Sequence, residues 1–253
     1  MRFRLLSLLF LVALYGCAST VDNTSLRPRE TSNEAATANL NLGIEYMRNG
    51  NLERALERLN RAHQADPNYY ATHNAYGLLY QRLGDNTLAE RHFRRAIALN
   101  NNDSPSKNNL GSFLCQNGRY EEAEQIFLSA ASNPLYETPE IAYANAGTCA
   151  MMNDDEQDAE KYFRQALSIN PGVPIALIQM AQLSYAQENY LSARGYLQRY
   201  QSVARNTAES LLLGIRVEQQ LGDRDAVSSY EMMLKNNFPD SEEIQQLRQS
   251  PSP

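Results

Sequence analysis

Few residues of this chain have chemistry to offer: His63, His73 and His92, Cys17, Cys115 and Cys149, and the acidic runs Glu121-Glu122 and Asp154-Asp155-Glu156. A zinc site or a paired general base would need a histidine at helical spacing from another histidine or a carboxylate. None of the three stands so. His63 and His92 read as solvated or satisfied surface residues of their helices. There is no glycine loop for a phosphate and no nucleophile elbow. Each acidic run opens a helix, where carboxylates complement the positive end of the dipole, and that role accounts for them without a metal. We expect no catalytic residue, no metal, no cofactor and no small-molecule substrate. The 23 basic side chains are outnumbered by 29 acidic ones, a net charge of −6. Without a basic stripe, nucleic acid is not an expected partner.

The elements that must position these residues are announced by glycine. Gly43, Gly77 and Gly111 recur at 34-residue intervals, Gly147 follows after 36, and Ala181 takes the place 34 later. Twelve residues after each stands an alanine (Ala55, Ala89, Ala123, Ala159, Ala193), and four further on a Leu or Phe (Leu59, Phe93, Phe127, Phe163, Leu197). Small residues at such a spacing let two helices cross closely, and the larger side chain fills the wider space beside them. Asn49-Gly50, Gly84-Asp85, Asn117-Gly118 and Gly222-Asp223 punctuate the middle of each unit. Asp66-Pro67, Asn170-Pro171 and Phe238-Pro239 close second helices. This frame resembles the tetratricopeptide repeat, a helix–turn–helix unit of 34 residues. The resemblance implies an all-α solenoid of about six repeats in a right-handed superhelix: 36–69, 70–103, 104–139, 140–173, 174–207 and 208–241. The last two are degenerate, with Val227 where alanine is expected. Asp240-Ser241-Glu242-Glu243 reads as a capping box opening a short helix over the last repeat, with 242–253 forming this cap and a disordered Ser-Pro-Ser-Pro tail.

The amino end carries its own signal. Arg2 and Arg4 precede an apolar run, Leu5 to Leu14, too short to span a bilayer but suited to a signal-peptide core. It ends in Leu14-Tyr15-Gly16-Cys17, which resembles the lipobox of bacterial lipoproteins, with Tyr15 bulkier than that pattern favours. The resemblance implies that residues 1–16 are removed and that Cys17 is acylated. Each buried CH₂ contributes about 0.8 kcal/mol, so three acyl chains would hold the protein to a membrane essentially permanently. Ala18 in place of aspartate implies the outer membrane, on its periplasmic face. Residues 17–35 form a polar tether reaching on the order of 50 Å.

In this repeat architecture the first helix of each unit lines the concave face. On repeat one the outward positions Leu40, Ile44 and Met47 form an apolar stripe, which Leu78 of repeat two extends. Such a stripe suits a partner's peptide or helix; the alternative is that the tether folds back over it. Asn74 and Asn108 are placed to hydrogen-bond an extended backbone. Cys115 and Cys149 end the first helices of neighbouring repeats, so a disulfide is geometrically possible and an oxidising compartment favours it. Two buried free thiols are the alternative.

Three stretches add to the generic frame: Asn109–Leu114 with Arg119–Ala123, the longer connection at Leu135-Tyr136, and Ser210-Leu211-Leu212-Leu213-Gly214-Ile215-Arg216. With the lipobox and tether they make the chain similar to the type IV pilus biogenesis lipoproteins of the PilF/PilW kind. That resemblance implies a non-enzymatic pilotin, which binds the outer-membrane secretin of the pilus and promotes its localisation and multimer assembly. The alternative from the same fold is a periplasmic adaptor that scaffolds murein hydrolases or proteases.

Overall fold

The computed structural model describes residues 33–249. The leader, Cys17, the tether before Asn33 and the Ser-Pro-Ser-Pro tail lie outside the described residues. Those described form helices and turns only: α1 Glu34–Arg48, α2 Leu52–Ala65, α3 Tyr70–Leu83, α4 Asn86–Leu99, α5 Ser104–Gln116, α6 Tyr120–Ala131, α7 Pro139–Met152, α8 Glu156–Ile169, α9 Pro174–Ala186, α10 Tyr190–Val203, α11 Ala208–Leu221, α12 Arg224–Asn237 and α13 Glu242–Gln249. The first twelve are consecutive antiparallel pairs. The expected all-α repeat solenoid is the fold observed.

Local chemistry sets each boundary. Asn51, Asp85, Asp155, Asn189 and Asp223 cap α2, α4, α8, α10 and α12, each side chain accepting from a backbone N–H in the first turn. Of the acidic runs, Glu121 and Glu122 lie in the first turn of α6, while Asp155 serves as the cap of α8. The turn inside each pair needs one left-handed residue. Gly50, Gly84, Gly118 and Gly222 supply it with φ of 75–78°. In the fourth and fifth pairs Asp154 (φ 57°) and Glu188 (φ 59°) occupy the same slot, where an L side chain is disfavoured.

The glycine of the frame is explained by what lies on it. A Cβ on Gly77 would stand 2.5 Å from the Phe93 ring, on Gly111 2.8 Å from Phe127, on Gly147 2.7 Å from Phe163, and on Gly43 2.8 Å from Leu59. The large residue therefore does not fill space beside the crossing; it sits on the glycine itself. Ala55, Ala89, Ala123, Ala159 and Ala193 are fully buried with it. The last pair follows the same rule with a shifted register. Gly214, 33 residues after Ala181, lies 2.8 Å (as a virtual Cβ) from Tyr230, and Tyr230 and Leu234 pack with Leu211 and Ile215. Val227 is partly buried against the same cluster.

Each pair meets the next chiefly where its second helix packs on the following first helix, α2 on α3, α4 on α5, α6 on α7, α8 on α9 and α10 on α11. First helices also touch first helices in succession, from α1 on α3 to α9 on α11, while successive second helices make no comparable contact. The first helices thus lie on the inner side of the stack. Arg194 donates to Glu218, which is 4% exposed, tying α10 to α11. At the far end α13 inserts Ile244, 2% exposed, beside Leu211 and Leu234. The cap of α13 falls one residue later than the box expected over Asp240–Glu243: the Ser241 hydroxyl accepts from the Ile244 N–H at 3.4 Å, and isoleucine three residues after the cap has no polar side chain to reach back. A complete reciprocal box occurs instead at Thr207 and Ser210, opening α11.

Cys115 of α5 and Cys149 of α7 lie with Cα atoms 5.7 Å apart and sulfurs in contact, at a sequence separation of 34. Both are buried. This spacing is within the range a disulfide spans.

Three outcomes are expected. Gly77→Ala drives a methyl into Phe93 and costs about 1–3 kcal/mol by overpacking, outweighing a helix-propensity gain of about 1 kcal/mol. In a Phe93→Leu background, which reproduces the Ala181–Leu197 combination, the same substitution costs clearly less by denaturant unfolding. Glu188→Gly relieves a left-handed penalty of roughly 1–2 kcal/mol, partly offset by the entropy of glycine, and raises the melting temperature. Reduction of the oxidised chain, or Cys115→Ser, removes about 3 kcal/mol, read as a lower melting temperature than that of the unreduced protein.

Candidate functional site

The inner surface begins with a hollow between α1 and α3. It has a volume of about 340 Å³ and is lined by Leu40, Ile44, Met47 and Arg48 of α1 and by Ala71, Asn74, Ala75, Leu78 and Arg82 of α3. The four apolar residues expected to form a stripe do converge there, but they do not share one environment. Leu40 and Met47 are each 4% exposed and belong to the core that joins the first pair to the second, with Leu59, Tyr76 and Leu79. Ile44 is 37% exposed, and Leu78 is half-buried. The expectation of a solvent-facing stripe is corrected accordingly. α3 lies against α1 and covers two of its three positions, leaving Ile44 and the edge of Leu78 as the accessible apolar surface.

Arginines close one end of the hollow. Arg82 donates to the Met47 carbonyl at 2.6 Å, an oxygen at the end of α1 that also accepts from the Gly50 N–H at 3.1 Å. Arg48 pairs with Glu45 at 3.0 Å in an exposed i,i+3 contact. Such a surface pair contributes little to stability and is easily given up to a ligand.

Beyond the hollow the inner face is amide-rich. Asn109 donates to Asn74 at 3.1 Å and Asn145 to Asn108 at 3.0 Å, while Gln81 donates to Gln116 at 2.7 Å. Each bond links neighbouring first helices. Asn74 and Asn108 accept through Oδ1, and their Nδ2 groups donate to no other group among the described residues. Those donors are what an extended backbone's carbonyls require. The longer connection between α6 and α7 presents Leu135, 84% exposed, at the stack's edge. It is pinned by Asn133, which donates to the Asn102 carbonyl at 2.9 Å.

The histidines are where the sequence misleads. His63, His73 and His92 are not separate surface residues; they meet between α2, α3 and α4. His73 Nδ1 lies 3.1 Å from His92 Nδ1, and His63 lies edge-on to His73 with ring centroids 5.3 Å apart. Burial, then His63 and Arg95, push the His73 imidazole below its ordinary value against the opposing pull of the Pro67 carbonyl. Burial first, then His73, Arg91 and His63, lower His92 to about 4. Tyr76, packed against both, is raised to about 12 by burial and by Tyr80. Among the described residues no three of His, Cys, Asp and Glu are placed to hold a metal ion. The separations of these histidines match no motif. His73 and His92 meet by the folding of α3 against α4 within one pair, and His63 joins them from α2 of the preceding pair.

The tetratricopeptide repeat family matches residues 40–104 and 74–138, and again 141–172. The type IV pilus assembly protein PilF of Pseudomonas aeruginosa is 33% identical over 244 residues, spanning 96% of this chain and 97% of that protein. The solved structure of that PilF superposes with a TM-score of 0.77 at 33% identity, covering 85% of this chain and 97% of the other. The crystal structure of PilW, a widely conserved type IV pilus biogenesis factor, gives 0.74 at 32% identity, covering 85% of this chain and 99% of the other. The Cut9–Hcn1 assembly, 16% identical with a TM-score of 0.67 over 85% of this chain and 42% of the other, shares the fold alone. With its helix pairs, its crossing glycines and this likeness over nearly its whole length, the chain belongs to the PilF/PilW family of tetratricopeptide-repeat proteins of type IV pilus biogenesis.

Proposed function

We propose that this protein is a non-enzymatic pilotin: an outer-membrane lipoprotein, anchored through Cys17 and facing the periplasm, that binds the pilus secretin and promotes its localisation and multimer assembly. The observation that carries the reading is the likeness to two type IV pilus proteins, which extends to the last, least regular pair. The structure supports a division of labour. The acylated amino end holds the molecule at the membrane, and the polar tether lets the stack reach a partner. No helix among the described residues is long and apolar enough to cross a membrane, so in this reading attachment falls to the acyl chains. The hollow at α1 and α3 takes an apolar side chain of the secretin against Ile44, Leu78 and the buried flanks of Leu40 and Met47. Asn74 and Asn108 then hold the adjoining main chain.

The burial pattern decides how to test this. Charge at Leu40 or Met47 breaks the joint between the first two pairs, so failure of those variants says nothing about a partner. Ile44→Asp is the informative change. It is expected to leave the far-UV spectrum and melting temperature nearly unchanged and to cost roughly 1–2 kcal/mol of partner binding. In the native host it depletes the high-mass secretin multimer seen in unboiled membrane fractions. A normal multimer level with Ile44→Asp, alone and combined with Leu78→Asp, contradicts the site. A normal level in the deletion strain contradicts the pilotin role, and co-purifying peptidases would then favour the murein-adaptor reading.

A further inference from the structure

The histidine cluster lies at the joint between the first and second helix pairs, and its hydrogen bonding determines where protons can go. His73 Nε2 stands 3.1 Å from the Pro67 carbonyl oxygen. A carbonyl only accepts, so Nε2 carries the proton, and neutral His73 presents a lone pair at Nδ1. That atom meets His92 Nδ1 at 3.1 Å, so His92 donates. The His92 ring is stacked on Tyr76 at 4.7 Å and on Tyr80 at 5.4 Å, and so is held in place. His63 Nδ1 is buried with no hydrogen-bond partner. A proton gained by His73 has only Nδ1 to occupy, and there it sets two N–H donors head to head across a contact that now holds α3 to α4.

Nothing around the pair compensates such a charge. The groups acting on it are His63 from α2, Tyr76 and Tyr80 from α3, and Arg91 and Arg95 from α4. Those that carry charge carry it with the same sign, and the tyrosines stay neutral. Arg95 is turned to Asn68 at 2.9 Å in the α2–α3 connection, the segment that also supplies the Pro67 carbonyl. Helices α2, α3 and α4 thus meet at one point through three imidazoles.

We propose that His63, His73 and His92 form an acid-sensitive latch: protonation of His73 parts α3 from α4 within the second helix pair and unsettles the seat of α2 on α3. The direction follows from linkage. Both imidazoles are held below the ordinary histidine value of 6.5, His92 at about 4. The latch is therefore fully closed above the ordinary value and opens as pH falls from there toward the folded-state values. If the hollow at α1 and α3 is the partner site proposed above, acid distorts it by freeing α3, one of its two walls, from α4; the latch itself does not depend on that reading.

The test is hydrogen exchange of the full chain in detergent at pH 7.5 and pH 5.0, corrected for the intrinsic effect of pH on exchange. Protection of α3 and α4 relative to α9 and α10 is expected to fall at least tenfold at the lower pH. In His92→Gln, whose amide can turn either its oxygen or its nitrogen to His73, most of that fall disappears. An unchanged ratio in the wild type, or the same fall in His92→Gln, overturns the proposal. Should the variant not fold, imidazole titration of the wild type by NMR decides: two histidines titrating well below 6.5 support the latch, and three titrating near 6.5 refute it.

Discussion

The stack depends on one contact made repeatedly, a large side chain lying directly on a glycine where two helices cross. With a Cβ on Gly77 only 2.5 Å from Phe93, no other residue lets the helices approach this closely without displacing the ring. The close crossing sets the angle of each pair, and the angle decides which surface of the first helix remains for its neighbour. Phe93, Phe127 and Phe163 are among the most completely buried side chains in the protein. A buried aromatic ring supplies much of the apolar burial that a single repeat can offer, and no repeat buries a full core alone.

From that crossing follows the character of the inner face. Besides the packing of each second helix on the next first helix, first helices meet first helices, so residues that line the groove also help to hold the stack. Arg82 reaches the end of α1, amide pairs bridge α3 to α5 and α5 to α7, and Cys115 meets Cys149 across the latter joint. Leu40 and Met47 are both floor of the hollow and glue between pairs. A binding surface made this way is pre-shaped, since its lining residues are fixed by the packing that keeps the repeats together. It is also vulnerable, because whatever loosens a joint distorts the groove.

Much of this was legible in the sequence because a repeat states its contacts several times over. The glycine period, the alanine twelve residues later and the turn glycines give the pairs and their boundaries. Reading failed where the period slipped or where a contact crossed between repeats. Gly214 was hidden by a register one residue short of the frame. Asp154 and Glu188 take a glycine's conformation without being glycine, which no propensity scale foretells. The apolar positions of α1 converge at a hollow as expected, but a helical wheel of one helix cannot show that α3 covers Leu40 and Met47 and spares Ile44. The histidines were misread for the same reason: each stands on a different helix, and the periodicity of a single helix carries no trace of contacts across three.

The account's central claim is that the hollow of the first two pairs receives the secretin. The most direct measurement places a photo-cross-linking amino acid at position 44 in the native host and identifies what it captures after irradiation of whole cells. The account predicts a covalent adduct with the secretin, reduced when the same probe stands at the exposed Arg61 of α2 instead. An adduct with a murein hydrolase, or no secretin adduct while the multimer forms normally, would contradict it.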